Sequence, residues 1–194
     1  MKKIALTQRL IKNDSYYEIR EALDINWGAM IQAAGLEPVV LPLKYDYKKL
    51  YFDGVILTGG NDLASVSGNE TDKLRDDFEN ALLDFCVSKQ IPVFGVCRGM
   101  QLINVHFGGS IKQIARHTGC SHILDNGMEV NSYHGFAVDS VADGFEIIAK
   151  SGDGIIEITR HKKYKIYAQM YHPERYDPFR VDDLRFLREY FNAS

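Results

Sequence analysis

The segment "IPVFGVCRGMQL", residues 91–102, joins a strand-forming run directly to a helix-forming run, with one cysteine at the join. The apolar residues before Cys97 predict a buried parallel strand, and those after it predict an amphipathic helix. Gly95 and Gly99, two residues to either side, are typical of a nucleophile elbow, a sharp strand-to-helix turn that exposes a reactive side chain. The segment therefore predicts an α/β fold with the cysteine at the carboxyl end of a strand, where such folds form their sites.

The rest of the chain supports this fold class. In its first half, short apolar runs that predict strands alternate with two longer periodic stretches that predict helices, at residues 18–35 and 71–89. From about residue 129, strand-like pieces separated by turn signals follow, and a last helix is predicted over residues 181–192. We predict a single domain over residues 1–194, a three-layer α/β sandwich with a central, mostly parallel, flavodoxin-like sheet that antiparallel strands extend in the second half.

Charge and cysteine content exclude several classes of protein. The 26 acidic and 23 basic residues are mixed along the chain, so no basic stripe indicates a nucleic-acid partner. Three cysteines, an odd number at uneven spacing, favour reduced thiols over a disulfide framework. No apolar run approaches the length of a membrane span or of a signal sequence. We therefore expect a cytoplasmic protein that binds neither nucleic acid nor membrane.

The elbow also predicts the chemistry of the cysteine. At a helix N-terminus, free N–H groups and the helix dipole favour the thiolate of Cys97, which is the attacking species. The same turn points the backbone N–H of Arg98 at the space before the sulfur, as half of an oxyanion hole. Gly60, in "VILTGGND" at the end of another strand, is our candidate for the second donor, although a double glycine is also common in ordinary turns. In "YAQMYHPE", His172 ends a strand as the candidate base, and Glu174 is placed to orient it.

Four motifs in this order resemble a known family. "LTGGND", "GVCRGMQLINVHFGG", "VNSYHGFAV" and "HPE" are similar to motifs of the class I glutamine amidotransferase-like hydrolases with a Cys-His-Glu triad, and specifically of their γ-glutamyl hydrolase (peptidase C26) branch. The resemblance implies hydrolysis of a γ-glutamyl amide through a thioester on Cys97, without a cofactor or a metal. It also implies a set of substrate-binding residues: Gly59, Gln101, Asn131, Ser132, Tyr133 and His134.

Within that branch, the chain resembles the hydrolases that cleave γ-glutamyl-CDP-amidate during synthesis of bacterial capsule phosphoramidate. Residues 9–20 follow a strand end near the expected site and offer groups that could contact phosphate oxygens and stack on a base, namely Arg9, Lys12, Tyr16, Tyr17 and Arg20. A solvated loop followed by the start of a helix is an equal alternative for this segment. The expected partner is a small-molecule γ-glutamyl conjugate, and a homo-oligomer stays open.

Other functions also stay open at this point. The substrate could be a γ-glutamyl-GABA-type compound, or the chain could be a glutaminase subunit that delivers ammonia to a synthase. A non-catalytic protein that retains the elbow is a third alternative. The grouping of His117, Cys120 and His122 in "RHTGCSH" is interpreted as a polar loop, because no fourth ligand follows at a spacing that structural zinc sites use.

Overall fold

The computed structural model describes residues 1 to 193. Its strands are β1 (Lys3–Leu6), β2 (Arg9–Lys12), β3 (Ile19–Ala22), β4 (Glu37–Val40), β5 (Gly54–Leu57), β6 (Val93–Val96), β7 (Ser110–Gln113), β8 (Thr118–Ile123), β9 (Glu129–Tyr133), β10 (Phe136–Ser140), β11 (Phe145–Lys150), β12 (Ile156–His161) and β13 (Ile166–Gln169). Its α-helices are α1 (Asn26–Ala33), α2 (Ala64–Ser67), α3 (Glu70–Lys89), α4 (Arg98–His106) and α5 (Val181–Asn192).

Nine strands form one central sheet in the order β4-β1-β5-β6-β13-β12-β10-β7, with β11 paired to β12. The first five strands in this order run parallel, and every further pair is antiparallel. This confirms the predicted α/β class, in which antiparallel strands from the second half extend a parallel sheet. The single-domain organisation stays a prediction.

Helices cover both faces of the parallel part of the sheet. Ile4 and Leu6 of β1 pack with α1 and α5, whereas Ala5 faces the opposite layer, which contains α3 and α4. This alternation follows from the two-residue period of a strand, and each face buries its own apolar cluster. Cys86 of α3 is fully buried in the cluster on the side of α3 and α4, and burial raises the pKa of its thiol to about 12.

The first predicted helix begins later than its periodicity indicates. Residues 19–22 form strand β3, which pairs antiparallel with β2, so residues 9–22 make a hairpin rather than a loop and a helix start. The helix begins at Asn26, whose N–H donates a 3.0 Å hydrogen bond to the Asp24 side chain just before it. The hairpin follows β1 at its carboxyl end and places Arg9 beside the site.

The interpretation of the segment around residue 120 as a polar loop is also wrong. Residues 118–123 form strand β8, which pairs with β9 in a separate two-stranded sheet. Its side chains are mostly exposed, so the apolar alternation that would reveal a strand is missing. Within residues 1–193 no helix has the length and apolar character that crossing a membrane requires, and the cytoplasmic location stays a prediction.

Candidate active site

Cys97 lies alone between the last residue of β6 and the first residue of α4. Its backbone has φ 52° and ψ −105°, a conformation that non-glycine residues rarely adopt and that costs about 1–3 kcal/mol. The Cys97 N–H donates a 2.8 Å hydrogen bond to the carbonyl of Gln169 on the neighbouring strand β13, which helps to hold the turn. The side chain is 7% exposed and lines a cleft.

Two glycines allow this turn because a side chain at either would collide with its surroundings. A Cβ on Gly99 would lie 2.1 Å from the carbonyl oxygen of Leu57, so α4 packs directly on the backbone of β5. A Cβ on Gly95 would lie 2.6 Å from Cδ1 of Ile103 and 2.9 Å from the carbonyl carbon of Gly99. Close packing, and not a positive φ, is the reason for glycine at both positions.

His172 lies beside Cys97 and Glu174 lies beside His172, and both residues are almost fully buried. The Glu174 carboxylate is 2.7 Å from Nδ1 of the His172 ring, which leaves Nε2 for another partner. Burial lowers the pKa of His172, but hydrogen bonds to Cys97 and Glu174 and the charges of both groups outweigh it and raise the pKa to about 9. A Cβ on Gly59 would lie 2.6 Å from Cε1 of this ring, so glycine there lets the imidazole approach.

Asn131 holds the backbone of His172 from the side of β9. Its side-chain amide donates to the His172 carbonyl and accepts from the His172 N–H, each at 2.8 Å. Its own N–H donates to the Tyr176 hydroxyl at 2.8 Å. Ser132 is fully buried and donates to the His117 carbonyl at 2.6 Å. The structure therefore does not place Asn131 and Ser132 in the cleft wall, although the resemblance implies substrate contacts for them.

Arg75 of α3, which the sequence reasoning missed, fixes the loop after β5. This fully buried guanidinium donates to the carbonyls of Thr58, Gly59 and Gly60, at 2.7 Å and 3.1 Å to the first two. Because N–H and C=O point in opposite directions across a trans peptide, holding the Gly59 carbonyl turns the Gly60 N–H away from Arg75. That N–H has no hydrogen-bond acceptor among residues 1–193, and Gly60 lines the cleft.

A buried ionic network fixes the turn that carries the backbone N–H of Arg98, the other predicted donor of the oxyanion hole. The Arg98 side chain turns away from the cleft and pairs with Glu79 and Asp76, and Glu79 also binds Arg75 at 3.0 Å. Burial lowers the pKa of Arg75 to about 10, so this group remains charged at neutral pH. The network ties the N-terminal turn of α4, whose first N–H groups have no partner within the helix, to the loop that carries Gly60.

The space before the sulfur is a cleft of about 190 Å³. A second cleft of about 180 Å³ adjoins it and is lined by Gly59 and Glu174 among others. Both clefts share four lining residues, namely Arg9, Gly60, His172 and Arg175. The first cleft contains most of the predicted site residues: Gly60, Cys97, Arg98, Gln101, Tyr133, His134, His172 and Arg9.

The wall opposite the elbow combines aromatic and cationic groups. The guanidinium of Arg175 lies 4.5 Å from the centre of the Tyr133 ring, and Tyr133 meets His172 edge-on. Arg175 directly follows the "HPE" motif, and this proximity in sequence is the signal that could have identified it. Gln101 donates to the Phe136 carbonyl at 2.9 Å, which ties α4 to β10 across the cleft.

The chain is similar in sequence to proteins of known family. The family model of peptidase C26 matches residues 4–123 and 113–174. A γ-glutamyl-CDP-amidate hydrolase of Campylobacter jejuni is 34% identical over 196 residues, which cover 97% of each protein. A glutamine-hydrolysing GMP synthase of Dictyostelium discoideum is 33% identical over 62% of this chain and 18% of that protein.

The fold is also found among solved structures. A Thermoplasma acidophilum protein, proposed to be one of the subunits of a GMP synthase, superposes with a TM-score of 0.77 at 20% identity. The superposition covers 99% of this chain and 93% of that one. At this level of identity, the likeness shows the shared fold alone.

Proposed function

The chain belongs to the peptidase C26 family, and on this basis we propose that it hydrolyses a γ-glutamyl amide with Cys97 as the nucleophile. Membership confirms the family resemblance predicted from the four motifs and makes the chain a glutamine amidotransferase-like hydrolase. The observation that carries the catalytic proposal is the strained turn of Cys97 beside a histidine that a carboxylate orients at 2.7 Å.

In the first step, the Cys97 thiolate attacks the γ-carbonyl carbon. The carbonyl π electrons move to oxygen, and the N–H groups of Gly60 and Arg98 stabilise the resulting oxyanion. Such donors contribute most when they are fixed before the reaction, which is the role we assign to the network of Arg75 and Arg98. The tetrahedral intermediate then collapses, the C–N bond breaks, and a thioester of the glutamyl group remains on the enzyme.

His172 moves the protons in both halves of the reaction. A pKa raised to about 9 keeps its ring protonated at neutral pH, so it can donate a proton to the departing nitrogen. The neutral ring then takes a proton from water, which attacks the thioester and releases glutamate and the Cys97 thiolate. Glu174 stabilises the imidazolium in each cycle. The net reaction consumes one water and yields glutamate and an amine.

For the leaving group we propose cytidine diphosphoramidate, so that the substrate is γ-glutamyl-CDP-amidate and the product serves capsule synthesis. The similarity to the C. jejuni enzyme over almost the whole of both chains supports this choice. Arg9 supports it independently, since its side chain lines both clefts and makes no ion pair with residues 1–193. An unpaired cation at that position suits a diphosphate.

The other polar residues of the hairpin have partners of their own. The Tyr17 hydroxyl donates to Glu70 at 3.0 Å, and Arg20 binds Glu18 at 2.9 Å. Lys12 lies 5.6 Å from the centre of the Tyr17 ring. Neither these three residues nor Tyr16 lines either cleft, so we assign them no contact with the leaving group.

A glutaminase that delivers ammonia to a synthase is the second candidate, because the chain is similar to part of a glutamine-hydrolysing GMP synthase. The two candidates differ in whether the isolated chain works alone. A free hydrolase releases glutamate without a partner, whereas such a subunit needs its synthase.

The experiment compares glutamate release by the isolated chain from γ-glutamyl-CDP-amidate, γ-glutamyl-GABA and glutamine. We expect the highest kcat/KM for the first compound, abolition by Cys97→Ala, and no effect of Cys120→Ala, which removes an exposed thiol remote from the clefts. Arg9→Gln should raise KM for the nucleotide substrate alone, whereas Lys12→Gln on the same hairpin should not. Equal or reversed rates would refute the nucleotide assignment, and turnover by Cys97→Ala would refute the mechanism.

A further inference from the structure

Three histidines surround a buried glutamate behind the strand pair β8–β9. One oxygen of Glu157, Oε1, lies 3.5 Å from Nδ1 of His117, 3.2 Å from Nε2 of His122 and 3.4 Å from Nε2 of His134. Glu157 is fully buried, and His117 and His134 are each 3% exposed. None of these nitrogens, and neither oxygen of Glu157, has a hydrogen-bond partner among residues 1–193.

In His117 and His134, the ring nitrogen that points away from Glu157 has a hydrogen-bond partner, and this partner decides which nitrogen carries the proton. Nε2 of His117 is 3.0 Å from an Asp153 carboxylate oxygen, and Nδ1 of His134 is 3.0 Å from the Phe136 carbonyl. Both of these oxygens only accept, so each ring donates outward and a neutral ring turns its lone pair toward Glu157. Lone pairs that face a carboxylate oxygen repel it unless a cation lies between them.

Protonation of the rings would relieve the repulsion around Glu157 less well than a bound metal ion would. The ring centre of His117 is 4.7 Å from that of His122 and 5.0 Å from that of His134. Two or three imidazolium charges at these separations would repel one another in a buried environment, with Glu157 as the only fully buried carboxylate beside them. A single divalent ion would satisfy the facing atoms of Glu157, His117 and His122 at once.

The distances fit such an ion. With metal–ligand bonds of about 2.0–2.1 Å, the donors of a tetrahedral zinc site lie about 3.3–3.4 Å apart. Oε1 of Glu157 is 3.2–3.5 Å from the three nitrogens. The donor atoms of His117, His122 and Glu157 all lie within 4.8 Å of one another. The contact between His117 and Asp153 matches the carboxylate–histidine pairs that orient metal ligands.

We propose that His117, His122 and Glu157 bind a zinc ion that fixes the β8–β9 pair against β12. Three protein ligands leave the fourth position to a water molecule, and none of the three lines the cleft that contains Cys97, so we assign the ion no part in hydrolysis. His134 also lines the catalytic cleft, and the same strand pair carries Asn131, which holds His172. The ion would therefore stiffen one wall of the active site. The spacing within "RHTGCSH" could not reveal this set, because its third member, Glu157, comes from β12.

The test measures zinc in tag-free protein that has been stripped with a chelator, reloaded and passed through a desalting column. We expect about one zinc per chain, and an increase in Tm of about 10 °C when zinc is added at about 1,000 times its Kd. In the cobalt-loaded protein, the intense visible bands of a tetrahedral site should appear.

His122→Ala should weaken zinc binding at least tenfold and remove the increase in Tm. The matched control is His106→Ala, since the side chains of His106 and His122 are both 17% exposed and His106 lies away from the cluster on α4. Glu157→Gln, which keeps the shape of the side chain, provides the same test if His122→Ala does not fold. A wild-type protein that binds no zinc, or equal zinc content and Tm response in all variants, would overturn the proposal.

Discussion

Replacement of Gly99 by alanine tests whether close packing creates the elbow. The added Cβ would lie 2.1 Å from the Leu57 carbonyl oxygen, and ordinary contact starts at 3.4 Å. Neither atom belongs to a flexible side chain, so α4 must move away from β5 by about 1 Å. A displacement of about 1 Å at the reacting groups costs about 100-fold in rate, and overpacking of this kind costs about 1–3 kcal/mol of stability.

The assay combines kcat for glutamate release with urea unfolding. Gly28→Ala is the control, because that glycine is inside α1 and a Cβ there meets nothing within 4 Å. We expect it to keep full activity and to gain up to about 1 kcal/mol from helix propensity. Gly95→Ala should lose less activity and stability than Gly99→Ala but more than Gly28→Ala, because the shortest contact of its added Cβ is with the movable end of the Ile103 side chain.

Close packing would be refuted as the cause of the elbow if Gly99→Ala kept wild-type kcat and stability, or if Gly28→Ala lost as much activity as Gly99→Ala. If Gly99→Ala does not fold, Gly95→Ala supplies the comparison. In that variant a folded protein with reduced kcat and unchanged KM is the expected result.

Three further predictions concern the groups around His172 and Gly60. Glu174→Gln should lower the pKa of His172 from about 9. Because activity is lost as that ring deprotonates, the alkaline limb of the kcat/KM profile should move to lower pH. An unchanged alkaline limb would contradict the role assigned to Glu174. Arg75→Lys should reduce kcat about 100-fold or more with little change in KM, because a compact ammonium cannot replace the planar guanidinium fork that reaches three carbonyls and Glu79 together. A change in KM alone would argue against an oxyanion role. Asn131→Ala should lower kcat about tenfold through loss of two hydrogen bonds to the His172 backbone, whereas a pure KM effect would indicate the substrate contact that the family resemblance implies.

The parallel sheet was predictable because its central strands β5 and β6 are fully apolar and the strands are bounded by clear turn signals. Gly95 and Gly99 around Cys97 also identified the turn, since few other arrangements need small residues at that spacing. The β2–β3 hairpin was not predictable, because its strands are largely exposed and residues 19–31 also show helical spacing. Tertiary pairing decides such segments.

Charged residues in the interior were missed for a different reason. Arg75 and Glu79 stand four residues apart on α3, a spacing that is typical of solvent-facing ion pairs, yet both are fully buried and Arg75 binds the loop after β5. Glu157 likewise stands in a strand, and only the folded chain brings it to His117 and His122. The sequence around each of these residues shows no pattern that would identify a partner far along the chain.

The identity of the nucleophile is tested most directly by treating the protein with a diazoketone analogue of glutamine, followed by peptide mapping by mass spectrometry. We predict a single covalent adduct on Cys97, slower labelling in Glu174→Gln, and none on Cys86 or Cys120. Labelling of Cys120 instead, or complete loss of activity with Cys97 unmodified, would contradict the assignment of Cys97 as the nucleophile.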